Sequence, residues 1–584
     1  MTSSRIRISL IDGYDYIALK LFNSIAPVIA KVFELDHSIR RSGLTIHPHL
    51  YAARLMLAIL IAFIMSLYVA LIVALSGLGI VVKVLALITP IITSILVLTL
   101  GLLYPSLKAD DRRRRIESEL PFLASYLSAM AIAGVDIMRA LERIASLRIF
   151  DGARREAQMI VRDVRLLGRN PLDAIEGNAL HHPSSLYRDF MLGYSTSVKI
   201  GGNIIGYLEA KTNDIFKSKI EDLKVMSERL ALYTELYIIL AVIVSISFYT
   251  FLTVNTMTPG ASPTNLTQIL LFSFVFMPLS ALLILFLIDR VYPKTPIKLT
   301  TAQVMIISYG APVALVSTPL VFYITGAYEI MRKPIDSSLV IALTITLVTP
   351  LLALSIPGAY SWLIESRKTK GMADSLASFL RDLVEVRKTG LSPEKSIIVL
   401  STRNYGPLTL IVRRIASSLL LGLDMEKAVA SATRGYRNWI LLASFRLLTD
   451  TITLGGGSVE ALDSLARYAR GIADFEAELA KRLKIYLLMP YVGALLVSGS
   501  SMMLLAYMAQ TMSITQQEAD IASIVGPLAL AISLGTTLNS WLMGLVAGKL
   551  RNGTILSGFI HAITLMMITV ITIALTLRSL QNIL

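Results

Sequence analysis

Ser498 and His561 both fall within long apolar stretches, where the serine–histidine dyad of a membrane protease would have to lie. The run around the serine, Ser498-Gly499-Ser500-Ser501, is also the kind of small-residue face on which membrane helices pack closely. His47-Pro48-His49 and His181-His182 could touch a metal ion, but neither pair has a third ligand at zinc spacing. Adjacent histidines of this kind usually lie in solvated loops. With six histidines and no cysteine, the chain has no thiolate zinc site, no disulfide and no thiol nucleophile. No carboxylate lies at the centre of an apolar stretch, so an intramembrane aspartyl protease lacks its acids. An ion-coupled transporter likewise lacks the midplane charges it needs. No Gly-x-x-x-x-Gly-Lys-Ser/Thr stretch is present, so no phosphate loop is expected, and no cofactor. Gly201-Gly202 and Gly455-Gly456-Gly457 lack the lysine and the preceding strand, and read as helix breaks.

The remaining chemistry is cationic. Arg112, Arg113, Arg114 and Arg115 form one cluster, and Arg367, Lys368 and Lys370 form a second. Two readings stand side by side: topogenic charge in contact with anionic lipid, or a docking surface for an acidic partner. The net charge of +15 would point to nucleic acid in a soluble protein. In a chain that is 54% hydrophobic with mean hydropathy +0.66, excess Lys and Arg instead hold loops on the cytoplasmic side, and no nucleic-acid partner is expected.

These clusters open two polar, helix-patterned blocks, Glu117–Leu236 and Glu365–Met489, that match each other. Leu166-Leu167-Gly168 answers Leu420-Leu421-Gly422, and Ala174 answers Ala428, at an offset of 254. Gly201-Gly202 answers Gly455-Gly456, and Leu208 answers Leu462, at the same offset. Nearer the front, Leu123–Leu127 answers Leu376–Leu380 at 253, and Gly134 answers Gly390 at 256. A register held over roughly 90 residues indicates duplication. Helix ends repeat as well. Gly134 then Asp136, and Gly168 then Asn170-Pro171, stand against Gly390 then Ser392-Pro393, and Gly422 then Asp424. About six helices are expected per block, the last of each running on toward a membrane span.

Apolar runs predict spans near residues 55–76, 82–104, 231–254, 268–288, 302–327, 338–364, 485–511, 521–548 and 555–577. The expected fold is an all-α polytopic membrane protein with about nine transmembrane helices and two duplicated cytoplasmic helical bundles. Residues 1–53 form an amphipathic tail that lies on the membrane surface or packs against the cytoplasmic domain. A transmembrane hairpin follows at 54–105, the first bundle at 106–230, hairpins at 231–289 and 301–364, the second bundle at 365–484, and three spans at 485–578. Each half inserts the same way up, as in a parallel repeat. With the bundles cytoplasmic, only Lys83, Arg332, Lys333 and Arg578 of the 55 Lys and Arg lie outside.

The repeated block resembles the cytoplasmic domain of the type II secretion F family, the platform proteins of type II secretion, type IV pili, Tad pili and archaeal pili and archaella. The features that carry it are Ala133-Gly134-Val135-Asp136 with Ala140-Leu141, Gly168 with Ala174-Ile175, and Gly201-Gly202 with Leu208-Glu209-Ala210. Thr389-Gly390-Leu391-Ser392, Gly422 with Ala428-Val429, and Gly455-Gly456 with Leu462 repeat them. Two full membrane repeats and an extra last span look more like the archaeal branch. The resemblance implies a non-enzymatic platform that couples a cytoplasmic hexameric ATPase to pilin insertion. Its implied partners are that ATPase, pilin subunits and membrane lipids, and a homodimer is compatible with it. A transporter or translocase is the alternative class.

Overall fold

The computed structural model describes residues 10–44, 46–75, 80–256, 264–292, 304–328, 335–436, 438–514 and 518–580. The expected turn at Gly77-Leu78-Gly79, Arg332, Lys333 and the middles of the loops Asn255–Gln268 and Ala509–Ser523 lie outside these residues. Among the described residues every regular element is helical and no strand occurs. Among the described residues nine helices are long and apolar enough to cross a membrane, from Pro48–Leu75 to Ile555–Ser579. The chain divides into two compact units, residues 1–215 with 454–464, and residues 216–453 with 465–584.

In the first unit, three short helices of the tail (Leu10–Phe22, Ala26–Val32 and Leu35–Ser42) precede the span Pro48–Leu75. Ala18, Ala26, Ala30, Leu35 and Ile39 bury themselves against Ala52, Ala53 and Leu57. The tail thus packs through small side chains. Several large apolar residues of the tail, Tyr16, Ile17, Leu21, Val28 and Val32, are exposed, while Phe22 and Ile29 pack against the small-residue cluster. Arg54 Nη2 donates to Asp15 Oδ2 at 2.6 Å, and Tyr14 Oη donates to the Arg54 carbonyl at 3.0 Å, tying tail to span.

The second span does not end where the polar block begins. One helix, Ile80–Ile132, runs through Pro90, Pro105 and Pro121 without a break and supplies the first helix of the block. Five more follow: Ile137–Ser146, Gly152–Arg165, Pro171–Leu180, Ser185–Ile200 and Ile204–Ile238. Their core is Leu123, Tyr126, Leu127, Met130, Leu141, Ile144, Ile175, Phe190 and Met191, all buried, with Phe122 stacked on Phe150 at 4.3 Å between centroids. Gly152 lets two helices meet. A Cβ there would lie 2.7 Å from the Arg115 carbonyl carbon. Beside it, buried Glu119 accepts the free N–H groups of Asp151 (2.9 Å) and Ala153 (2.8 Å), capping the helix from outside its own chain segment.

The matching helices of the second copy, which lies in the second unit except for residues 454–464, are Met372–Lys388, Pro393–Leu400, Thr409–Leu420, Met425–Ala432, Trp439–Gly455 and Val459–Lys484. The first bundle's caps form as expected: Asp136 accepts from Met138 N, and Asn170 from Leu172 N, both at 3.0 Å. In the second copy Ser392 accepts from Lys395 N at 3.3 Å, but Asp424 holds the cap position without a cap hydrogen bond. Its carboxylate turns to Lys427 Nζ at 3.3 Å instead, so that cap is lost to a surface ion pair.

The spans of this unit pack through small and polar side chains, since lipid offers helices no hydrophobic drive to associate. Added Cβ atoms on Gly544 and Gly548 would lie 2.2 and 2.1 Å from the backbones of Ala562 and Gly558, so Glu518–Asn552 and Ile555–Leu580 touch almost backbone to backbone. A π turn at Ile239–Val244 is joined by Asn539 Nδ2, which donates to the Ala241 carbonyl at 2.9 Å. Trp541 Nε1 donates to Ser355 Oγ at 2.8 Å.

Candidate functional site

The first arginine cluster is committed within the chain. Arg112 donates from Nε to Glu156 Oε1 at 2.7 Å and from Nη2 to Glu156 Oε2 at 2.6 Å, a two-pronged pair that is nearly buried. Its third nitrogen, Nη1, reaches the carbonyls of Arg40 and Arg41 at 3.3 and 3.2 Å, at the end of the last tail helix. Arg113 pairs with Glu117 at 2.9 Å, Arg114 with Asp110, and Arg115 with both Asp111 and Asp151. All four side chains thus brace the start of the bundle, and Arg113 stays the most exposed of them.

Glu156 sits at the centre of a buried polar network that sequence reading did not find. Asn178 Nδ2 donates to its Oε2 at 2.9 Å, and Tyr187 Oη donates to Asn178 Oδ1 at 2.9 Å. His182, expected in a solvated loop, is instead 2% exposed. Its Nδ1 accepts from Ser184 N at 3.0 Å, so the neutral ring carries its proton on Nε2, which faces Glu156 Oε1 at 3.5 Å. That separation is too long for a strong hydrogen bond. Burial pushes the His182 imidazole below its ordinary value, and Glu156 offsets this only in part. Burial alone would raise Glu156, but Arg112 and His182 outweigh it and hold the carboxyl down at about 2. Glu119 is raised, because burial prevails over the N–H groups that it accepts. The signal available in sequence was weak: Glu156 and Arg112 are 44 residues apart with no motif joining them.

The second cluster differs. Arg367 and Lys368 lie in the last turn of Ser337–Thr369, where cations suit the helix dipole, and Lys370 follows as its cap. All three are exposed, and none has an ion-pair partner among the described residues. Here the helix stops. Lys370 is extended and Gly371 takes φ +72° before Met372–Lys388 begins. At the front offset of 253 the first copy has Ser118, and its helix continues. The two clusters therefore hold matching sequence positions in different structural settings.

The repeat glycines mostly serve backbone shape. Gly134, Gly168, Gly201, Gly390, Gly422 and Gly456 take positive φ and end helices. Gly202 and Gly455 do not. Gly455 is the last helical residue of Trp439–Gly455 and faces Ala133 so closely that a Cβ would lie 2.3 Å from the Ala133 Cβ. In backbone conformation Gly201 therefore answers Gly456, one residue out of the sequence register.

The catalytic pairs that sequence offered are not assembled. Ser498 Oγ donates to the Ala494 carbonyl at 2.8 Å within its own helix. His561 Nδ1 pairs with Tyr491 Oη at 2.7 Å. Among the described residues no group of three or more His, Asp or Glu is placed to hold a metal ion.

An all-α chain with two matching helical blocks, each ending in a helix that runs on into an apolar span, defines a class of multi-pass membrane protein. The chain carries two regions, residues 123–252 and 379–506, that each match the domain model of the family Type II secretion system (T2SS), protein F. It is 21% identical over 437 residues to an uncharacterised protein of Methanocaldococcus jannaschii, covering 70% of this chain and 71% of that one. Flagella accessory protein J of the same organism is 25% identical over 354 residues, 57% of this chain and 59% of that protein. No solved structure matches.

Proposed function

We propose that this chain is the membrane platform of a type IV pilus-like filament machine, in which a separate hexameric ATPase on the cytoplasmic side drives insertion of pilin subunits. The observation that carries this is the form of the two family matches. Each ends in a helix that continues into an apolar span, Ile204–Thr256 and Val459–Met512. Such a helix offers a path from a polar domain to the lipid phase. Extracting apolar pilins from a membrane needs free energy, and this chain has no phosphate loop with which to take it from ATP. A motor supplied in trans resolves that. A relative named as a flagella accessory protein supports a filament role. The N-terminus and both bundles face the cytoplasm on this reading, which the charge distribution supports, and the chain itself is not an enzyme.

Deleting the gene should remove surface filaments while pilins accumulate in the membrane fraction. Unchanged filaments in the deletion strain would reject the proposal, and the transporter reading would replace it.

A further inference from the structure

Between the last tail helix and the first bundle lie two adjoining clefts, with cavity volumes of about 220 and 210 Å³, that share His37 and Arg41 as a common wall. The second is closed by His181, His182 and Arg188, and the first by Asp110 and Arg113. Four of the side chains that line them lack partners. Arg41, Arg188, His37 and His181 have no side-chain hydrogen bond or ion pair among the described residues, and the Nε of Arg188 is fully buried and unsatisfied. The nearby acids are already held: Asp110 by Arg114, Glu117 by Arg113, Asp36 by Arg40, and Glu156 by Arg112. A buried guanidinium nitrogen without an acceptor is costly, and Arg41 on the shared wall brings a second guanidinium to the same cleft, which adds repulsion. Burial and concentration of positive charge are both relieved by one bound anion.

We propose that this cleft is a phosphate-binding site formed jointly by the N-terminal tail and the first bundle, with Arg41 and Arg188 as its principal ligands. Guanidinium forks from two directions match a tetrahedral phosphate better than a planar carboxylate partner already saturated elsewhere. The position also matters. Ser106 and Ala109, which line the first cleft, lie on the helix that carries the second span out of its apolar stretch. The phosphate of an anionic lipid headgroup and free inorganic phosphate share the chemistry that the cleft recognises. A ligand here would bind tail and bundle together, beside the Arg112 contacts to the Arg40 and Arg41 carbonyls.

The test uses the full-length protein in a neutral detergent. Thermal stability and titration calorimetry are followed with inorganic phosphate in one arm. In the other, phosphatidylglycerol mixed micelles are compared with phosphatidylcholine micelles. Saturable binding in either arm is expected, with at least tenfold loss in R41Q/R188Q and little change in R165Q, whose side chain pairs with Glu142 away from the cleft. Binding by phosphate identifies a soluble ligand, and binding only by the anionic lipid identifies a headgroup. The conservative R188K variant guards against misfolding, since it keeps the charge and should bind more weakly than wild type while retaining its melting midpoint without ligand. Absence of saturable binding in both arms overturns the proposal. So does an equal loss in R165Q, which would show non-specific attraction to a basic surface.

Discussion

Arg112 and Glu156, 44 residues apart, join through two hydrogen bonds of 2.7 and 2.6 Å, while the same guanidinium holds the carbonyls of Arg40 and Arg41. One side chain therefore couples the membrane-derived helix, the bundle and the tail. Breaking a nearly buried pair by removing one partner strands the other, at a cost of about 3–5 kcal/mol. Glu156→Gln should lower the melting midpoint of the full-length protein and release amide protection in residues 35–43. An unchanged midpoint and unchanged tail exchange would show that the pair is not structural.

The same network predicts acid sensitivity. His182 has a folded value below the ordinary 6.5, so the unfolded chain takes its proton first as pH falls. Its contribution is present above 6.5 and is lost below it. Glu156, at about 2 against an ordinary 4.5, contributes above 4.5 and loses that contribution between 4.5 and 2. Glu119 has the opposite sign: raised by burial, it favours the fold below 4.5 and loses that advantage as pH rises through its folded value. Between about pH 7 and pH 5 Glu156 stays ionised, and His182 is the member of this network that lowers stability as pH falls. The fall in melting midpoint over that range should shrink in H182Q, and an equal fall would remove His182 as its cause.

Gly152 allows the crossing with Arg115 because a side chain has no room there. Gly152→Ala must push backbone against backbone, and overpacking of that kind costs about 1–3 kcal/mol. Limited proteolysis should cut the first bundle faster in this variant while the second bundle is unaffected.

Much of this architecture could be read in advance. Spans stood out because bilayer-length apolar runs are long and uniform, and the bundle helices stood out because Gly134, Gly168, Gly390 and Gly422 repeat as stops. What stayed hidden was long-range pairing. No motif marked Glu156, and His182 read as a loop histidine, because burial comes from residues such as Tyr187 and Asn178 that meet them only in the fold. The helix Ile80–Ile132 also runs across the expected boundary between the first hairpin and the first bundle at residues 105–106, with Pro105 inside it. The tail's exposed apolar face concealed that its alanines do the packing.

Topology has a direct check, since the chain has no native thiol. Leu166 and Leu421 are exposed, at 77% and 82%, and Arg578 is exposed near the far end. On intact cells a membrane-impermeant maleimide should label Arg578→Cys, and should leave Leu166→Cys and Leu421→Cys unlabelled until the cells are opened. Labelling of either leucine position from outside would invert the orientation.

The central claim is that this chain engages a motor that it does not itself contain, and binding of the purified full-length protein to its cognate hexameric ATPase tests it most directly. Saturable association that weakens as salt rises is expected. At least tenfold weaker binding is expected for R367E/K368E/K370E, whose three side chains are free to meet a partner, and no ATP hydrolysis by the chain alone. No association at low salt, or ATP hydrolysis by the isolated chain, would contradict it.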